Sequence, residues 1–246
     1  MQSSSFHSFP PLFLMLALLF VGVVAILQIG ILGYAYERMG IERRTAYLIL
    51  LLSLLGSYVN IPIVKLSDRD IMVPGGVMVD RFGYPHDTAP QVERVKGTEL
   101  ALNVGGAIVP TVLSIYLIVK HQIYLSAFTG IALVGAVVHY LAEPIEGMGI
   151  AVPVFVPPIV SAFVAMFLSR EYAAPLAYVS GCMGTLVGAD VLNLHVLGEL
   201  GASVASIGGA GTFDGVFLTG ILAVLLAAGP PRRPVSPAED PPPAPP

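Results

Sequence analysis

Residues 174–194 read APLAYVSGCMGTLVGADVLNL, with Asp190 as the sole charge. About 20 mostly apolar residues suffice to cross the hydrocarbon core of a bilayer as a helix, so this stretch is a membrane span. Working outward, six more runs of the same kind lie at about 11–35, 44–63, 99–119, 123–141, 149–168 and 205–228. The composition agrees. Of 246 residues, 55% are apolar and 11% charged, and the mean hydropathy is +0.82. A soluble domain carries about 25% charge, so there is too little polar surface here to cover a water-soluble globule. Soluble enzymes and disordered regulators are excluded, and the net charge of −4 argues against nucleic acid, which rewards basic surfaces. The single cysteine, Cys182, rules out an internal disulfide framework and reads as a small packing residue.

The expected fold is therefore an all-α polytopic membrane protein of about seven transmembrane helices over residues 1–228. The first run has no basic leader and no clear cleavage site, so it reads as a permanent anchor. Pro62 lies near the end of the second run, and Pro153, Pro157 and Pro158 interrupt the fifth, predicting a broken or re-entrant segment there. Residues 64–98 form the one long polar stretch. Within it, Ile71–Val73 and Val77–Val79 flank a Pro-Gly-Gly turn, which predicts a small extramembrane β-hairpin. Residues 229–246 are mostly proline and are expected to be disordered.

Lys and Arg in short loops set orientation. With seven spans, Arg38, Arg43, Arg44, Lys120, Arg170, Arg232 and Arg233 fall on one side. That places the N-terminus outside and the C-terminus in the cytoplasm of a cell-membrane protein whose first partner is the lipid bilayer.

Acids at membrane depth are costly, about 2.5–3.5 kcal/mol on insertion scales, and mark functional sites by default. Asp190 sits near the end of the sixth span and Asp214 near the start of the seventh. Consecutive antiparallel helices bring those positions to similar depth, near the predicted outer face. Two carboxylates brought close share a proton more readily than both ionise, and such a pair can activate water, relay protons or bind a cation. Alternatively, Asp214 complements the dipole of its own helix, with Thr212 or Ser206 as cap, and Asp190 reaches interfacial water.

Supporting polar candidates are Asn103, Asn193 and Thr212, with Asn60 a weaker one. Pro110 frees a carbonyl near Gly106 on the third span. Gly181, Gly184 and Gly188 make one small-residue stripe, and Gly211, Gly215 and Thr219 another; both favour close helix approach in lipid. Gly208-Gly209-Ala210-Gly211 is either part of that packing or an unwound segment exposing backbone groups to a ligand. Asn103-Val104-Gly105-Gly106-Ala107 and Ser206-Ile207-Gly208-Gly209-Ala210 are alike over five positions. His139 with Glu143, and His195 with Glu199, are spaced i, i+4 and form a metal-ligand alternative to plain interfacial side chains. No cofactor is implied.

At Asn103–Ala107, Gly188-Ala189-Asp190 and the Gly208–Gly215 stretch the chain resembles an uncharacterised prokaryotic membrane-protein family of unknown function, over most of residues 44–228. More loosely, the acids on consecutive spans resemble the presenilin and signal-peptide-peptidase class of intramembrane aspartyl proteases. In that class a Gly-x-Gly-Asp motif opens the second span. Here Thr212 and Phe213 separate Gly209-Ala210-Gly211 from Asp214, no Tyr precedes Asp190, and a Pro-Ala-Leu motif is missing.

Three expectations follow. In the first, Asp190 and Asp214 catalyse proteolysis of a membrane peptide. In the second, the same acids bind a proton or small cation in a coupled transporter. In the third, the chain is a non-catalytic receptor or assembly factor that docks through residues 64–98.

Overall fold

The computed structural model describes residues 29–65, 69–73, 76–79, 81, 83–87, 91–95, 97–145, 149–197, 204–209 and 215–228. Helix α1 covers 29–38, and the four-residue turn Met39–Glu42 leads into α2, Arg43–Gly56. The chain then goes extended as β1, Asn60–Lys65, and returns as β6, Glu99–Asn103. Between them lie β2 (Arg69–Val73), β3 (Val77–Val79), β4 (Pro85–Asp87) and β5 (Gln91–Val95). A π-helical turn, Val104–Ile108, opens α3, Val109–His121; α4 is Tyr124–Leu141. The short strands β7 (Glu143–Ile145) and β8 (Gly149–Ala151) precede α5, Val156–Leu168. After a second four-residue turn, Ser169–Tyr172, comes α6, Ala173–Thr185, which ends in a π turn at Leu186–Asp190 and a 3-10 turn at Val191–Asn193. Helix α7 is Leu194–Leu197, β9 is Val204–Ile207 and α8 is Gly215–Ala227.

Among the described residues, three helices have the length and composition to cross a membrane: Val104–His121, Tyr124–Leu141 and Ala173–Val196. Val156–Leu168 and Gly215–Ala227 are apolar but shorter. Among the described residues, strand interrupts several of the seven apolar runs. The second run stops being helical at Gly56, before Pro62, and the third and seventh begin as β6 and β9. Prolines do not interrupt α5. Pro157 and Pro158 occupy its first turn, where a missing N–H costs nothing, and Pro153 precedes the helix.

The predicted hairpin around Pro-Gly-Gly does not form. Strand β2 pairs with β5 and β3 with β4, both antiparallel. With β1 on β6 these make nested antiparallel pairs among the described residues of 60–103. A two-stranded ribbon gains more ladder bonds by pairing along its whole length than by closing early at Pro74, whose missing N–H weakens any local ladder.

Strand β6 also pairs with β9 in parallel, Glu99 opposite Val204 through Leu102 opposite Ile207, giving a sheet ordered β1-β6-β9. Parallel neighbours need long crossovers, and here the crossover is most of the bundle.

Helix α6 is the centre of the bundle, with every residue from Ala173 to Cys182 buried. Its small residues admit neighbours closely. A Cβ on Gly184 would come within 2.7 Å of the Val134 Cβ on α4, and one on Gly181 within 3.2 Å of the Ser161 Oγ on α5 and 3.4 Å of Thr219 on α8. The first glycine stripe is thus a packing seam. Of the second stripe, Thr219 packs and Gly215 faces open space, while Gly211 lies outside the described residues. Cys182 is buried, as a packing residue should be.

The outer faces of α4 and α5 are apolar, with Leu125, Phe128, Phe163 and Phe167 exposed, Phe167 by 89%. At one end of the bundle Lys120 and His121, closing α3, hydrogen-bond the Gly40 and Met39 carbonyls in the α1–α2 turn. The His121 ring also lies 5.4 Å from that of Tyr172 in the α5–α6 turn. Arg38, Arg43, Lys120 and the turn bearing Arg170 therefore share an end, as the spacing of basic loops predicts. Val104, at the start of α3, is roughly 25 Å away at 1.5 Å per helical residue.

Candidate functional site: a junction of broken helices

At the end remote from those basic turns, α2, α3, α6 and β9 all depart from regular geometry within one region. Helix α2 exposes orphan carbonyls as it ends, and serines one turn apart deal with them. Ser57 Oγ donates to the Ser53 carbonyl at 2.8 Å, and Ser53 Oγ donates to Gly105 O at 2.9 Å in the π turn opening α3. The approach is so close that a Cβ on Gly105 would strike the Ser53 and Ser57 backbone.

Asn103 is the hub. Its Oδ1 accepts from Gly106 N–H at 2.8 Å, capping the π turn, while its Nδ2 donates to Ser57 O at 2.8 Å and to Asn60 Oδ1 at 3.0 Å. Both ends of the amide are used, and the side chain is 3% exposed. Asn60 Oδ1 accepts a second bond, from Ser206 Oγ on β9 at 2.6 Å. One amide oxygen therefore joins β1, β6 and β9.

Asp190 closes the π turn of α6, and its Oδ2 accepts from Gly208 N–H at 2.7 Å, just past β9. Gly208 adopts φ +73°, a left-handed conformation that favours glycine. A Cβ there would lie 2.7 Å from Ala107 N and Gly106 C, so the turn after β9 rests on the π turn after β6. Asp190 is thus half-buried, with one carboxylate oxygen bonded to backbone.

The remaining candidates divide. Asn193 Nδ2 donates to Gly188 O and Ala189 O, each at 2.9 Å, and so holds the frayed end of its own helix. Asp214, Thr212 and Glu199 lie outside the described residues, and so does any pairing of Asp190 with Asp214. Gly208 and Gly209 are non-helical, matching the unwound alternative at those positions. His139 and Glu143, at the end of α4 and in β7, are exposed, as is His195. Among the described residues no three His, Cys, Asp or Glu side chains gather as a metal site. Ser53 and Ser57 escape a sequence reading, although serines spaced i, i+4 at the apolar end of α2 were the available signal.

Carboxylate, amide and hydroxyl oxygens here surround backbone that has left its helices, an arrangement that suits protons and hard cations, which take oxygen ligands. Fold and site define a mostly helical protein with helices of membrane-spanning length, built round a junction of broken helices. Residues 54–226 match the family model described as "Protein of unknown function (DUF1614)", and the chain belongs to that family. Comparison with curated proteins and with solved structures gives no match.

Proposed function

We propose that this chain is a multi-pass membrane carrier in which Asp190 binds a proton or small cation at the junction of broken helices. The observation that carries the reading is the Asp190–Gly208 hydrogen bond, which ties an acid at the end of one interrupted helix to the unwound backbone leading into another. Discontinuous helices with free backbone groups are how transporters build ion sites inside a bilayer. The exposed apolar faces of α4 and α5 suit lipid rather than water. In this reading the seven apolar runs cross the membrane, with the basic turns cytoplasmic and the junction towards the outside.

Buried hydroxyls add support. Ser161 and Ser180 satisfy themselves on the carbonyl four residues back, whereas Ser114 Oγ and Thr185 Oγ1 are buried without a partner among the described residues. Such groups in a bundle interior are suited to a hydrogen-bonding solute.

The test is flux in proteoliposomes driven by a pH gradient or a Na+ gradient. Wild-type protein is expected to show flux that Asp190→Asn abolishes. The amide oxygen can still accept from Gly208, so the substitution removes charge and spares the fold. Absence of any pH- or cation-dependent flux in the wild type would sink the reading.

A further inference from the structure

We propose that the end of the bundle carrying the basic turns binds a phospholipid with a net-negative headgroup. Its phosphate is held by Lys120 and Arg44, and its acyl chains lie along the outward sides of α3 and α4. This stands whether or not Asp190 carries a cation.

The cations converge although the sequence scatters them. Lys120 closes α3 and donates to the Gly40 carbonyl in the α1–α2 turn, where His121 also bonds the Met39 carbonyl. Arg44 follows Gly40 by four residues, in the first turn of α2, so it rises from the same turn that Lys120 grips. It is exposed and has no ion-pair or hydrogen-bond partner among the described residues. A phosphate here meets a guanidinium fork and an ammonium with three donors, of which Gly40 takes one. Arg38 closes α1 at the same end, and Arg170 joins through the α5–α6 turn, whose Tyr172 touches the His121 ring. The acids there are Glu37, Glu42 and Glu171. Glu37 is tied to Arg43 at 2.8 Å. That leaves Arg38, Arg44, Lys120 and Arg170 against Glu42 and Glu171, a surplus of positive charge. The junction end carries Asp190 and Glu143 instead.

Apolar surface runs straight down from these cations. Helices α3 and α4 are consecutive, yet both pack on α6 and hardly on one another. Val112, Ile115 and Val119 on α3 are each more than half exposed, as are Leu125 and Phe128 on α4. The three on α3 fall at i, i+3 and i+7, one stripe that climbs to Lys120. Tyrosines mark the level where chains give way to headgroups, since their rings are apolar and their hydroxyls polar. The Lys120 ammonium lies 5.3 Å from the Tyr116 ring centroid, the Arg38 guanidinium 5.9 Å from that of Tyr34, and Tyr124 is exposed at the start of α4. An apolar stripe topped by cations complements an amphiphile with a negative head. Free phosphate would use the cations alone, and a zwitterionic lipid would bring its own ammonium to a surface already positive.

The test uses the full chain in neutral detergent. Phosphatidylglycerol is expected to raise the melting midpoint by at least about 3 °C and to stay bound in native mass spectra. Phosphatidylcholine and inorganic phosphate at the same concentration should leave the midpoint unchanged. Arg44→Gln should weaken phosphatidylglycerol binding about fivefold, and Arg44→Gln/Lys120→Gln about thirtyfold. If losing the Gly40 bond unfolds the double variant, Arg44→Gln alone decides, because that side chain fastens nothing among the described residues. Lys65→Gln, which removes an exposed cation from β1, should bind like wild type. An equal rise with phosphatidylcholine, a rise with phosphate alone, no rise with phosphatidylglycerol, or wild-type affinity in Arg44→Gln would each overturn the proposal.

Discussion

Two helices leave the bundle for the junction, and they leave it differently. Helix α2 ends on neutral groups, Ser53, Ser57 and Asn60, each committed to a named backbone or amide partner. Helix α6 ends on a carboxylate, Asp190, presented by a π turn, with Asn193 beside it holding the frayed carbonyls. The contrast separates fastening from function. A neutral hydrogen-bonded seam stabilises whatever the solution conditions, while a half-buried acid makes its end responsive to protons and cations. Substitutions at the α2 exit should therefore cost stability, and those at the α6 exit should cost activity.

The largest effect belongs to Gly105→Ala, which forces a Cβ into the Ser53 and Ser57 backbone. Overpacking against main chain should cost more than about 3 kcal/mol, so the variant should lose its folded fraction in detergent thermal melts. Gly208→Ala comes next. It combines a left-handed φ with a Cβ 2.7 Å from Ala107 N, and about 2–4 kcal/mol of destabilisation is expected. Asn103→Ala removes the cap of the π turn together with bonds to Ser57 and Asn60, and should lower stability by about 2–3 kcal/mol in the same assay. A loss there smaller than that of Asp190→Asn would break the contrast between the exits. Asp190→Asn should change stability by less than about 1 kcal/mol because the Gly208 bond can persist, yet it should remove pH-dependent flux. Smallest is Thr185→Val, which deletes a buried hydroxyl with no partner and should leave the melt unchanged or up to about 1 kcal/mol higher. A clear loss of stability would mean that this hydroxyl fastens the fold.

Asp190 is legible in the sequence because an acid inside an apolar run has no packing explanation. Asn103 is legible for the same reason, although its dense set of partners is not. Ser53 stays hidden because a serine in a helix usually bonds its own preceding turn, as Ser57, Ser161 and Ser180 do, whereas Ser53 reaches across to Gly105. The arm between β1 and β6 misleads because Pro74-Gly75-Gly76 is a strong local turn signal, whereas the actual pairing of β2 with β5 joins segments about 20 residues apart.

The amino-acid order alone determined the apolar runs, the scarcity of charge, the basic turns at one end and the presence of an acid within an apolar run, since each depends only on local composition. Tertiary structure decided where helices stop and strand begins, and which strands pair. Backbone buried away from water must find partners for its N–H and C=O groups within the protein. For β6 the partner that does so is β9, roughly a hundred residues away, and no local pattern announces a bond made at that distance.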